Sequence, residues 1–176
     1  MRVIAGLARG HKLTAPAGRE TRPTGGRVKE ALFSMIQPYL PNSRTLDLFA
    51  GSGALGVEAL SRGAQCCDFV EQNRAAAEFV RENLRKTRLG GGEVFVGAAR
   101  EFLEGCQKQY DVVFLDPPYH KGLCELSLEL LEQRRLLATG AVVVCETSED
   151  ETPSAALRKI KESKYGAVKI TLFTAD

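Results

Sequence analysis

Thr45-Leu46-Asp47-Leu48-Phe49-Ala50-Gly51-Ser52-Gly53-Ala54-Leu55-Gly56 is the stretch that decides the fold. Its first five residues form a short apolar run with strand character, and a helical stretch starts at Ala54. Between the two, Gly51, Gly53 and Gly56 make a GxGxxG. Glycines there let the chain turn tightly and bring backbone N–H groups close to a ligand.

Toward the C-terminus the same alternation repeats. Apolar runs stand at 66–70 (CCDFV), 93–96 (EVFV), 111–115 (DVVFL), 141–146 (AVVVCE) and 167–173 (AVKITLF). Helical stretches fit 54–61, 73–88, 99–107, 122–132 and 153–162. Strands 20–30 residues apart with helices between them imply βαβ units and a parallel sheet. Right-handed crossovers then place helices on both faces. We therefore expect an α/β, doubly wound domain with a seven-stranded, mostly parallel sheet whose last strand is antiparallel. Ligands in such sheets bind at the carboxyl ends of the strands, so chemistry is expected just after each run.

Toward the N-terminus, MRVIAG and HKLTA read as a small β-hairpin around Ala8-Arg9-Gly10. Residues 15–26 read as a loop, and a helix fits 27–39, closed by Pro38 and Pro41. The expected division is an N-terminal extension over 1–43 and the main domain over 44–176. Residues 1–44 carry eight Lys/Arg against Glu20 and Glu30, a net of +6, while the remainder carries a net of −4. That asymmetry suits an arm that meets a polyanion.

The chain has 176 residues, 44% of them apolar and 26% charged, which fits one folded domain and excludes disorder as the default. No apolar run approaches the ~18 residues of a membrane span, and no signal peptide is legible. Five cysteines, none in CxxC, argue for a reducing cytoplasm and against a disulfide scaffold or zinc ribbon. Two separated histidines, His11 and His120, make no metal site, and no metal is expected.

Glu71 lies 20 residues beyond Gly51, at the end of the second strand, where a carboxylate can accept two hydrogen bonds from a ribose diol. So far NAD and S-adenosylmethionine fit equally. Asp47 favours the second. A carboxylate beside the turn repels a pyrophosphate and suits an ammonium or sulfonium. Asp116-Pro117-Pro118-Tyr119, directly after DVVFL, points the same way. The Asp116 carboxylate and the Pro117 carbonyl can hold the two hydrogens of a planar amino group and aim its nitrogen at a methyl carbon. Two prolines stiffen the loop, and Tyr119 can stack on a base, worth about 1–3 kcal/mol.

DLFAGSGALG, Glu71 and DPPY resemble the class I S-adenosylmethionine-dependent methyltransferases of exocyclic amino groups, with a Rossmann-like fold. With MRVIAGLARGHKL and TRPTGGRVKEALFSMI ahead of them, essentially the whole chain is similar to the RsmD family, which methylates the 2-amino group of one guanine in 16S ribosomal RNA. The resemblance implies a cofactor site at Asp47, Phe49, Gly51, Gly53, Glu71, Ala98 and Thr24. It implies Asp116, Pro117 and Tyr119 at the target base. Arg22-Pro23-Thr24 and Arg27 would lie over the entrance for cofactor and RNA, and Arg2, Arg9 and Lys12 would grip phosphates. The implied partner is 16S ribosomal RNA in the small subunit or an assembly intermediate, met by a monomer.

Two positions depart from the family. Ala98 stands where Asp or Asn would contact the adenine amino group, and Gly25-Gly26 replace more polar residues, implying a looser loop. His120 is set aside as a base, since water or Asp116 can take the proton. The basic faces at Arg81, Arg85, Lys86 and Arg88, and at Arg158, Lys159, Lys161 and Lys164, are read as solvated. The cysteines at 66–67 and 145 are read as core. Rival functions are an adenine 6-amino DNA methylase, for which 176 residues leave little room for target recognition, a NAD-dependent oxidoreductase, and a catalytically silent RNA-binding module.

Overall fold

The computed structural model describes residues 1–16 and 23–176. Its strands are β1 (Arg44–Asp47), β2 (Cys66–Glu71), β3 (Gly92–Val96), β4 (Tyr110–Leu115), β5 (Leu137–Ser148), β6 (Arg158–Tyr165) and β7 (Val168–Thr174). They form one sheet in the order β3-β2-β1-β4-β5-β7-β6. β1 to β5 pair in parallel, and β7 runs antiparallel to both β5 and β6. The helices are α1 (Pro23–Ile36), α2 (Ala54–Ser61), α3 (Arg74–Thr87), α4 (Ala99–Gly105) and α5 (Leu123–Gln133).

Strand alternation sorts the core into two layers. Val113 and Leu115 of β4, with Val143 and Cys145 of β5, face α4 and α5 through Leu103, Leu128 and Leu131. Their neighbours Val112, Phe114, Val142 and Val144 face α1 through Leu32, Phe33 and Ile36. On that second side α2 and α3 cover Cys67 and Phe69 of β2. Gly56 lets α2 lie this close, since a Cβ there would come within 2.3 Å of the Phe69 ring. Helix α3 is capped by Asn73, whose side chain accepts from the Ala76 amide at 3.1 Å.

The helix expected over 153–162 is absent, and β6 begins at Arg158 within that span. The reason is reach. Ser148 pairs with Val168, while Arg158 and Val142 both pair with Thr174. The nine residues 149–157 must therefore return roughly 20 Å along the sheet and about 10 Å across it. As a helix they would rise only about 14 Å, whereas extended they span about 30 Å. They cross without a helix, through a turn at 149–150 and an irregular stretch to 157, with Ala155 and Leu157 packed on the α4–α5 layer. Buried Lys169 tethers them by donating to the Glu151 carbonyl (2.6 Å) and to Thr152 Oγ1 (3.0 Å). Exposed Lys159, Lys161 and Lys164 leave β6 a charged sheet edge, which discourages further strand pairing.

The N-terminal segment is a turn closed by a single bridge, Arg2 to Lys12, rather than two strands. Most of its backbone bonds go elsewhere. Leu7 and Ala8 donate to Ser61, and Thr14 exchanges hydrogen bonds with Asn83. Helix α1 starts at Pro23, not at 27, so Gly25 and Gly26 lie in its first turn rather than in a loop. Proline suits that position because its missing N–H has no intrahelical partner there anyway. The α-helix ends at Ile36, and a 3-10 turn over Gln37–Tyr39, containing Pro38, completes the expected span.

Glu58 of α2, fully buried, joins these parts. It accepts from the Ile4 and Ala5 amides, from Lys29 Nζ (2.9 Å) and from Arg62 Nε (2.8 Å). Burial pushes the Glu58 carboxyl up, but Lys29, the Ile4 amide and Arg62 together hold it below the usual carboxylate range. Removing one partner of such a buried set leaves charges uncompensated. Glu58→Ala is expected to lose about 3–5 kcal/mol of unfolding free energy in urea titrations at pH 7. Because the folded carboxyl is depressed, wild type and variant should converge as pH falls below about 4.

Candidate active site

The carboxyl ends of β1, β2, β3, β4 and β5 open into one cleft of about 1420 Å³. The glycine turn forms its floor, and two carboxylates hold that turn. Asp47, at the end of β1, accepts from the Gly56 amide at 3.0 Å. Gly56 lies in the first turn of α2, where amides lack helical partners and the helix dipole favours an anion. Glu71, at the end of β2, accepts from the Gly51 amide and from the Asn73 amide, both at 2.8 Å. Gly51 and Gly53 adopt φ of 56° and 79°, and a Cβ on Gly53 would meet Val80 at 2.9 Å.

Asp47 is only 1% exposed. Burial pushes its carboxyl up to about 7, the Glu71 charge adds to the rise, and the Gly56 amide opposes it. Such a group sits at the balance point between neutral and ionised, and a nearby cation would tip it to the anion. Glu71 keeps a second lone-pair direction on each oxygen beyond the amides it holds.

Phe49, Gly51, Glu71 and Ala98 all line the cleft. Ala98 stands at the N-terminus of α4 without a side-chain cap, so that end offers a ligand only backbone groups and a methyl. Gly53 underlies the turn without lining the cleft. Across the opening, Asp116, Pro117, Pro118 and Tyr119 form the opposite wall. Pro117 is buried, while Asp116 and Tyr119 are half-buried. The loop is fastened beyond them by the His120 amide, which donates to Glu151 Oε1 at 2.8 Å. The Glu151 carboxylate also accepts from Ser148, so the end of β5 and the loop share one anchor. His120 itself is exposed and points its ring toward Asp150, 3.8 Å away.

Arg2, Lys29 and Arg27 line the rim of the cleft. Arg2, Arg9, Lys12 and Arg27 are exposed, and Lys29 is held by Glu58 and the Arg2 carbonyl. Arg22 and the side chain of Thr24 lie outside the described residues. Arg81 and Lys86 pair with Glu78 and Glu82 on the outer face of α3. Cys67 and Cys145 are buried as expected, whereas Cys66 is half-exposed. Lys29 and Glu146 are among the cleft residues that the sequence did not single out. Glu146, which interrupts the apolar run of β5, lines the cleft 3.4 Å from the Tyr119 hydroxyl. A lone acid at the end of an otherwise apolar strand was its only signal. Among the described residues no group of three or more His, Cys, Asp or Glu side chains is gathered for a metal, and no helix is long and apolar enough to cross a membrane.

A sheet in this order, with an acid-flanked glycine turn after β1 and an Asp-Pro-Pro-Tyr loop after β4, is the fold of a Rossmann-like methyltransferase. A sequence model of the family described as Conserved hypothetical protein 95 matches residues 1–174. The Ribosomal RNA small subunit methyltransferase D of Haemophilus influenzae is 41% identical over 180 aligned positions, covering 98% of this chain and 93% of that protein. Its namesake in Escherichia coli K12 is 40% identical, over 84% of this chain and 74% of that protein. The solved structure of yhhF from Escherichia coli superposes with a TM-score of 0.89 at 37% identity, over 99% of this chain and 97% of that one. The chain belongs to this family, the RsmD family.

The raised Asp47 carboxyl sets a pH dependence. Between the unfolded value of about 4 and the folded value the native state holds a proton that the unfolded chain has lost. Its contribution to stability therefore falls as pH rises toward about 7 and is level above it. Asp47→Asn keeps an acceptor for Gly56 and removes the titration. Relative to wild type, the variant should gain stability in urea titrations between pH 5 and pH 7.

Proposed function

We propose that this protein transfers a methyl group from S-adenosylmethionine to the 2-amino group of a guanine in 16S ribosomal RNA, within the small subunit or its assembly intermediate. The observation that carries the reading is the opening of the Asp116–Tyr119 loop into the same cleft as the Asp47–Glu71 turn. The names of the Haemophilus and Escherichia relatives support ribosomal RNA of the small subunit as substrate.

The residues present fit the methyl donor. Asp47, buried and poised near neutrality, suits a cationic group, and Glu71 has acceptor capacity for a ribose diol. Phe49, Gly51 and Ala98 would complete that site, Gly53 would support it through the turn, and Thr24 is proposed as a further contact. When bound, the donor supplies a methyl carbon activated by a sulfonium and leaves as S-adenosylhomocysteine. Asp116 and the Pro117 carbonyl accept the hydrogens of the target amino group and aim its nitrogen at the methyl. Tyr119 stacks on the base, which must leave its own stack to reach the cleft. One amino proton passes from the methylated nitrogen to Asp116 and on to water. No step requires a metal.

Residues 1–43 serve as the RNA-binding extension, and 44–176 carry the chemistry. Arg2, Arg9, Lys12 and Arg27 are exposed on the extension and would meet phosphates, a role we extend to Arg22. We place the protein in the cytoplasm, acting as a monomer.

The test uses tritiated S-adenosylmethionine and small subunits from a strain lacking the protein. Label should appear in 2-methylguanosine at one position of 16S RNA. Asp116→Ala should cut that rate at least 100-fold while S-adenosylhomocysteine still raises the melting temperature and NAD does not. Label in adenine of DNA, or normal turnover by Asp116→Ala, would refute the reading. A second measurement addresses the extension. Arg9→Ala with Lys12→Ala should weaken RNA binding and reduce the slope of log K against log salt by about 1–2.

A further inference from the structure

β4 and β5 lie side by side, with Leu115 in register with Cys145. The residue that follows each of these is an acid, Asp116 just past the end of β4 and Glu146 on β5, and both line the cleft. The two also share a side chamber of about 130 Å³ beneath α1. The Tyr119 hydroxyl donates to Glu146 Oε1 at 3.4 Å, so the loop that receives the base also orients this carboxylate. The other deep acids of the cleft, Asp47 and Glu71, hold the backbone of the glycine turn. Glu146 has no part in the transfer step described above.

A flipped base is read on its Watson–Crick edge. Guanine presents two adjacent donors there, the 2-amino group and N1–H. A base with an unprotonated N1 presents a lone pair instead. An ionised carboxylate only accepts. Set against N1–H it gains a charge-assisted hydrogen bond, and set against a lone pair it is repelled and loses its solvent. We propose that Glu146 is the residue that specifies guanine, its carboxylate accepting N1–H while Asp116 and Pro117 hold the neighbouring amino group. The inference rests on the function proposed above and adds how the base is chosen.

The experiment places 2-aminopurine at the target position of the 16S RNA, by ligation and subunit reconstitution. This base keeps the 2-amino group and has a bare N1. Methyl transfer to guanine and to 2-aminopurine subunits is compared for wild type, Glu146→Gln and Glu146→Ala. Wild type should favour guanine by at least about 100-fold in kcat/KM. Glu146→Gln can donate to the bare N1 through its amide, so its preference should collapse at least tenfold, with 2-aminopurine methylated faster than by wild type. Glu146→Ala should lose preference without that gain. If both substitutions lower the two substrates by the same factor, or change neither, Glu146 does not choose the base and the inference fails while the proposed reaction stands. If wild type labels no guanine amino group, the reaction itself fails and takes the inference with it.

Discussion

The turn between β1 and α2 is the constraint on which the site depends. A chain that leaves a strand and enters a helix within six residues exposes several amides with no backbone partner. Here the carboxylates at the ends of two neighbouring strands take them. Asp47 holds the Gly56 amide from below, and Glu71 holds Gly51 from the side. The turn is thereby fixed without side chains of its own, which leaves its upper surface to a ligand. The cost is a pair of acids placed close together in a buried setting, visible in the raised Asp47 carboxyl. A cationic ligand over the turn would relieve that cost.

The N-terminal extension depends on a comparable device. It lacks a sheet of its own, and the amides that do not bond within the segment are satisfied by Glu58 and Ser61 of α2 and by Asn83 of α3. Since α2 starts at the glycine turn, the extension, the turn and the cleft rim form one connected body. Arg2 and Lys29 reach the rim because Glu58 fixes the backbone and ammonium beside them. A basic arm anchored this way presents its charges at a set distance from the cleft, which suits a large polyanion better than a free tail.

The opposite wall is built from β4 and β5. The Asp116–Tyr119 loop is stiffened by its prolines and anchored through Glu151 to the end of β5. That anchor and the Tyr119–Glu146 contact tie the two strand ends together, and the crossing segment 149–157 is in turn tethered by Lys169. A short irregular crossing replaces a helix at this edge, leaving β6 exposed and lysine-rich.

The alternating apolar runs, the glycine turn with its flanking acids and the Asp-Pro-Pro-Tyr loop were all legible in the sequence, because each is local. Strand and helix periods, turn glycines and strand-end positions are set by residues a few places apart. These determined the parallel sheet, the position of the cleft, and the glycine turn and Asp-Pro-Pro-Tyr wall that line it, down to the departure at Ala98. What only the tertiary structure decided depends on distance between remote segments. Residues 153–162 have helical composition, yet the span from Ser148 to Arg158 is too long for a helical path. The N-terminal residues have strand composition, yet the amides of Ile4, Ala5, Leu7 and Ala8 find their partners on α2. Glu58 reads as one more helical acid until α1, Ile4 and Arg62 close around it. Glu146 looked like the end of an apolar run until the register of β4 with β5 set it beside Asp116, a pairing that no local pattern encodes.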